Sequence, residues 1–141
     1  MALLVQKYGG TSVGSPEKIG AIADRIARLR HSGHQLVVVV SAMGHTTDDL
    51  IALAQRVSAD PPGREMDMLL STGERISMAL LSMALSDRKT PAVSLTGSQT
   101  GIVTTSSHRR AKILRILGDR VRAALAHEQV VIVAGFQGVS E

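Results

Sequence analysis

The chain has 141 residues, 44% of them apolar, enough for one domain with its own core; only Tyr8 and Phe136 are aromatic, so that core must be aliphatic. It contains no cysteine, which excludes disulfides, thiolate metal sites and cysteine nucleophiles, and no apolar run approaches the roughly 20 residues that span a bilayer. The net charge of +4 raises the question of nucleic acid, but the basic residues between His108 and Arg122 follow a helical period and stacking aromatics are missing, which points to a solvated helix face instead.

Met1 to Tyr8 lacks the charged leader and long apolar stretch of a signal peptide, so a cytoplasmic protein is expected. Leu3 to Gln6 predicts the first strand. Ile19, Ile22, Ala23, Ile26 and Leu29 repeat at helical spacing, with Ser15 as N-cap, Pro16 at the first helical position and Gly33 past the end, which predicts a helix over Pro16 to His31. Leu36 to Val40 reads as a central strand covered on both faces. A second helix is expected over Thr47 to Ser58, ended by Asp60, Pro61, Pro62 and Gly63. The periodic stretch Glu65 to Leu85 contains Gly73, so a kink or break is expected near Ser71 to Gly73.

Ala92 to Leu95 predicts a strand and Gly101 to Thr105 a short extended piece. His108, Lys112, Arg115 and Arg122, beside Ile113, Ile116, Leu117, Val121 and Leu125, then predict an amphipathic basic helix. Val130 to Ala134 predicts another buried strand, whose apolar surface elements further along the chain would cover, and Gly135-Phe136-Gln137-Gly138 is a loop at its carboxyl end. Strands alternating with helical periods imply a parallel sheet with crossover helices, and Gly9, Ser41 and Gly135 should lie along one edge of it.

In open parallel sheets, ligands lie beyond the carboxyl ends of the strands. Four polar clusters fall there or at helix starts. In Lys7-Tyr8-Gly9-Gly10-Thr11-Ser12, two glycines let the backbone approach a polyanion, the following helix start offers free N–H groups and Lys7 adds a charge. The pattern is neither a P-loop, in which the lysine follows the glycines, nor a dinucleotide fingerprint, and a plain strand-to-helix turn would also explain it. Ser41 to Asp48 offers hydroxyls and amides to a carboxylate or phosphate, or simply caps the next helix through Thr47 or Asp48. Glu74, within Ser71-Thr72-Gly73-Glu74-Arg75, would suit a ligand amine or be a solvated glutamate paired with Arg75. Turn formation accounts for the glycines of Ser94 to Gly101. His31, His34, His45, His108 and His127 show no metal-ligand spacing, and no residue is assigned to a metal.

Taken together, Lys-Tyr-Gly-Gly-Thr-Ser-Val at 7–13, Val-Val-Ser-Ala-Met-Gly at 39–44, Ser-Thr-Gly-Glu at 71–74 and Val-Ala-Gly-Phe-Gln-Gly at 133–138 resemble aspartate kinases in order and interval. The resemblance implies an α/β fold, the three-layer α/β/α sandwich of amino acid kinases with a mostly parallel sheet, of which residues 1–141 would be the amino-terminal portion. It implies ATP and Mg2+ as cofactors and L-aspartate as acceptor, the γ-phosphate passing to the side-chain carboxylate. Aspartyl phosphate is the first intermediate toward lysine, threonine and methionine.

Carried over by resemblance, Lys7, Gly9 and Gly10 match the phosphate-binding loop, with Tyr8 inside it and Ser12 nearby, and Lys7 is the catalytic charge. Ser41 and Thr47 match positions lining the aspartate and γ-phosphate region, and Glu74 matches the carboxylate that receives the substrate amino group. Ser98, where the family usually has an aromatic residue, and Thr104 to Arg110 depart from the pattern. Family members continue into a Gly-Arg-Gly-Gly-Ser-Asp stretch, an adenine-binding half and regulatory domains, so these 141 residues alone are expected to be an incomplete, inactive fragment. Expected partners are aspartate, ATP and further copies or intact subunits, with no nucleic acid and no membrane. The alternatives are a non-catalytic interaction module or truncated subunit, or a sibling kinase acting on another amino acid or carbamate.

Overall fold

In a computed structural model, residues 1–140 are described and Glu141 lies outside the described residues. In chain order the elements are β1 (Leu3–Tyr8), α1 (Pro16–His31), β2 (Gln35–Val40), α2 (Thr46–Val57), α3 (Gly63–Asp87), β3 (Ala92–Leu95), α4 (Gly97–Thr100), β4 (Ile102–Thr104), β5 (Ile113–Ile116), α5 (Asp119–Ala126), β6 (Val130–Ala134) and β7 (Val139–Ser140). The main sheet has the order β1-β2-β6-β3, with every pair parallel.

Helix α1 starts where its sequence signals place it: the Ser15 hydroxyl accepts from the Lys18 N–H, and Pro16 opens the first turn. Its buried stripe Ile19, Ile22, Ala23 and Ile26 meets Met78, Leu81 and Leu85 of α3 over one face of the sheet, formed by Leu36, Val38, Val40, Val130, Ile132 and Ala134. Arg88 ties the two helices together at their ends, donating to Asp24 Oδ1 at 2.6 Å and to the carbonyls of Ala84 and Gly20. On the other face, Leu125 of α5 packs with Val131, Val133 and Leu95. The three layers of the expected sandwich are therefore present, with α2 packed outside on α3.

Several expectations are corrected. The fully covered strand is β6, buried along its whole length, because it inserts between β2 and β3 and has helices on both sides. It leaves no apolar surface for later elements to cover. In β2, by contrast, Val37 and Val39 are only half-buried, since α5 lies over β6 and leaves that side of β1 and β2 open. β1 and β3 are the two edges of the sheet, and on β1 Leu3 and Val5 are exposed.

Residues 63–87 form one unbroken helix, without the interruption expected at Ser71 to Gly73. Gly73 serves close packing instead: a Cβ there would lie 2.8 Å from Ala42 Cβ and 3.5 Å from Thr46 Cγ2.

The expected basic helix forms only in its second half. Gly118, left-handed at φ +70°, sets the N-terminus of α5. Before it, the exposed strand β5 pairs antiparallel with β4, which also pairs with β7 in a small second sheet. Ile113 and Ile116 suit a strand, and Leu117 and Gly118 donate back to the Gly101 and Thr100 carbonyls, which stops a helix from propagating backwards. The loop before β5 docks on the start of α3, where His108 Nδ1 lies 3.0 Å from Asp67 Oδ2 and the Arg109 guanidinium donates to the Pro61 carbonyl. Among the described residues, no helix is long and apolar enough to cross a membrane.

Gly73→Ala tests the tight α3 contact. Helix propensity alone favours alanine by about 1 kcal/mol, whereas overpacking costs about 1–3 kcal/mol. Urea unfolding is expected to register a net loss of stability, and a gain would mean that Ala42 yields freely.

Candidate active site

Strands β1, β2 and β6 end level, with Tyr8 opposite Val40 and Val40 opposite Ala134. The ladder continues one residue further, the Ser41 N–H donating to the Tyr8 carbonyl at 3.1 Å and the Gly135 N–H to the Val40 carbonyl at 2.8 Å. Gly9, Ser41 and Gly135 therefore stand along one carboxyl edge.

The loops leaving that edge interlock. The Gly44 N–H donates to the Gly10 carbonyl at 2.9 Å, and a Cβ on Gly10 would come within 3.0 Å of the Ala42 carbonyl oxygen. Gly10 is thus needed for contact between the first two loops, while nothing lies within 4 Å of a Cβ position at Gly9, which stays open to a ligand. The Lys18 ammonium donates to the Thr11 carbonyl at 3.0 Å and closes the first loop onto α1.

Lys7 and Tyr8, adjacent on a strand, point to opposite faces. Lys7 is exposed, with its ammonium 5.2 Å from the centroid of the Phe136 ring. Tyr8 turns toward α1, donates to Gln6 Oε1 at 2.9 Å and, with Thr11, Ser12, Lys18 and Arg25, lines a groove of about 500 Å³. Burial raises the Tyr8 phenol above its ordinary range, partly offset by Arg25. Lys7 and the Ser12 groove consequently lie on different sides of the edge strand.

Neither Thr47 nor Asp48 caps α2. The cap position is His45, which makes no side-chain cap bond, and Thr47 lies half-buried in the first turn. Glu74 is likewise not a solvated partner of Arg75. It is 8% exposed in the middle of α3, and its side-chain partner among the described residues is the neutral amide of Gln137, with Nε2 at 3.5 Å from Oε2. The same amide donates to the Ser71 carbonyl at 2.8 Å. Burial holds the Glu74 carboxyl above the usual carboxylate range, opposed by its own backbone N–H and by Gln137. Gly73, one residue earlier, touches Ala42 and Thr46, so Glu74 is held beside the Ser41 loop.

Sequence reasoning left Phe136 and Gln137 without a role, although their position after a buried apolar strand was the available signal. In the fourth cluster, Thr96 and Gln99 form a capping box on α4, and exposed Ser98 lies with its hydroxyl 3.2 Å from that of Thr96. A larger hollow of about 650 Å³, between Ala79, Ser82, Thr90, Pro91 and Gln129, opens at the amino ends of β3 and β6, the wrong end of the sheet for a ligand site. Among the described residues, no group of His, Asp or Glu side chains could hold a metal ion.

This arrangement of parallel strands and glycine-bearing loops is that of a family: the model of the amino acid kinase family matches residues 2–141, and the chain belongs to it. The aspartokinase of Mycolicibacterium smegmatis is 56% identical over the whole chain, and that of Geobacillus stearothermophilus 54%. The chain spans 34% and 35% of their respective lengths. The crystal structure of aspartate kinase from Synechocystis superposes with a TM-score of 0.82 at 52% identity, over 97% of this chain and 22% of that one.

Because the folded-state value of Glu74 is raised, the folded chain holds that proton to higher pH than the unfolded chain does. Ionisation of Glu74 therefore removes stability as pH rises through and above the ordinary carboxylate range, and acidification restores it. Glu74→Gln, which cannot ionise, is expected to be more stable than the native chain at about pH 7, with the difference shrinking toward about pH 4. Urea midpoints at the two pH values measure it; a difference independent of pH would contradict the assignment.

Proposed function

We propose that this chain is the amino-terminal part of the kinase domain of an aspartate kinase, the part that grips the acceptor and the transferred phosphate. The observation that carries the reading is Glu74, a buried carboxylate at the ligand edge whose side-chain partner is a neutral amide. A buried charge is costly unless paired, and a substrate ammonium group supplies the pair. The names and identities of the aspartokinase relatives support aspartate as that substrate.

In this reading, Glu74 receives the amino group of L-aspartate, and Ser41 and Thr47 line its path toward the γ-phosphate. Lys7 and the backbone of Tyr8, Gly9 and Gly10 hold the phosphates of ATP, while Ser12, which lines the groove on the other side of β1, stays outside that contact. Open space at Gly9 and the exposed ammonium of Lys7 fit a polyanion. The β-carboxylate oxygen of aspartate attacks the γ-phosphorus, the bond to the β-phosphate oxygen breaks, and aspartyl phosphate and ADP leave. Positioning and charge neutralisation account for the catalysis, with Glu74 acting by orientation. No group of three or more His, Asp or Glu side chains gathers among the described residues, and in this proposal Mg2+ would arrive bound to the phosphates of the nucleotide.

The adenine-binding half and regulatory domains belong, in this proposal, to the remaining length of the relatives. The product feeds lysine, threonine and methionine biosynthesis in the cytoplasm, and exposed Ile76, Leu80 and Met83 on α3 offer an apolar strip for assembly with further copies.

In the full-length protein, Lys7→Ala is expected to lower kcat about 100-fold, as loss of one donor to developing charge does. Glu74→Gln should raise the KM for aspartate more than that for ATP. Native kinetics for both variants would remove them from the site. Residues 1–141 alone should yield no acyl phosphate trappable by hydroxylamine, since in-line positioning worth about 7–11 kcal/mol needs both reactants held; turnover by that segment would overturn this division of labour.

A further inference from the structure

The loop Gly135 to Gly138 touches both halves of the site. Phe136 is 87% exposed, so burial does not explain an aromatic residue there, and it sits at φ +55°, where a bulky side chain is out of place. Such a conformation persists only where the surroundings over-determine it, and three glycine contacts do so here. A Cβ on Gly135 would lie 3.0 Å from the Val40 carbonyl oxygen, one on Gly97 would strike the Gln137 backbone, and one on Gly138 would strike Thr104.

Pinned in this way, the loop sends its two central side chains to different sides of the edge. The Phe136 ring lies over the Lys7 ammonium, while the Gln137 amide reaches α3, bonding the Ser71 carbonyl and Glu74. The sheet itself separates Lys7 from the α3 face.

We propose that Phe136 and Gln137 are positioning residues that act as one clamp, Phe136 holding the Lys7 ammonium at the phosphate side and Gln137 holding the Glu74 carboxylate at the amino-acid side. The inference rests on the roles given above to Lys7 and Glu74. An ammonium attracted to the negative face of a ring is held near one place without being neutralised, so it remains available to phosphate. A carboxylate that accepts from an amide keeps its charge for a substrate amine.

The test uses kinetics of the full-length kinase. Phe136→Gly removes the ring and suits a left-handed backbone, so it separates the ring from the strain. It is expected to lower kcat/KM for ATP by about 2- to 5-fold, the worth of an exposed cation–π contact, with the KM for aspartate unchanged and Phe136→Tyr restoring the native value. Gln137→Leu should raise the KM for aspartate by roughly 3-fold or more. Because the amide favours the ionised carboxylate, its loss should also move upward the pH below which aspartate binding fails. Native kinetics in both loop variants, with Lys7→Ala and Glu74→Gln impaired, would overturn the clamp and leave the site standing. Equal losses toward both substrates accompanied by a lowered unfolding temperature would also overturn it, making the loop merely structural. Native kinetics in Lys7→Ala and Glu74→Gln would remove the site and the clamp together.

Discussion

Two backbone carbonyls at the carboxyl edge, those of Tyr8 and Val40, organise that end of the sheet. Each accepts the first N–H beyond the neighbouring strand, from Ser41 and Gly135 respectively, so three chain segments leave the sheet at one level and crowd into the same space. Loops with side chains at every position could not meet so closely. Gly10 against Ala42, Gly73 against Ala42 and Gly97 against Gln137 are the places where a missing Cβ lets backbone approach backbone or a helix. Contacts of this closeness leave little room for the loops to shift relative to one another.

Beside these close contacts, Glu74 stands out as a group the fold alone would do better without. Its neighbours on the buried stripe of α3 are Ser77, Met78, Leu81 and Leu85, and burial opposes its ionisation. The neutral amide of Gln137 relieves the cost in part and leaves the charge unspent. Destabilisation of this kind, confined to one residue at a ligand edge, is the expected trace of function on a marginally stable fold.

The positive charge of the chain is used differently. Arg88 joins α1 to α3, Arg109 holds the loop before β5 on Pro61, Arg122 bonds the Leu117 carbonyl and Asp119, and Arg30 reaches the Glu128 carbonyl. Guanidinium groups here stitch helix ends and loops together, Arg88 through all three of its nitrogens.

Local signals were sufficient for α1, whose cap, first-turn proline and apolar period all agree, and for β3 and β6, whose apolar runs are bounded by turns. The gathering of Gly9, Ser41 and Gly135 along one carboxyl edge was also legible, because strand ends are properties of neighbouring residues. Tertiary structure decided the rest. Gly73 reads as a helix breaker until Ala42 is seen beside it, and the period from His108 to Leu125 reads as a helix until β4 takes Ile113–Ile116 as its partner. In the same way, nothing local to Glu74 tells a solvated carboxylate from a buried one. Burial, close approach and strand partnership are relations between residues far apart in the chain: Gln137 lies 63 positions from Glu74, and only the folded sheet brings the two together.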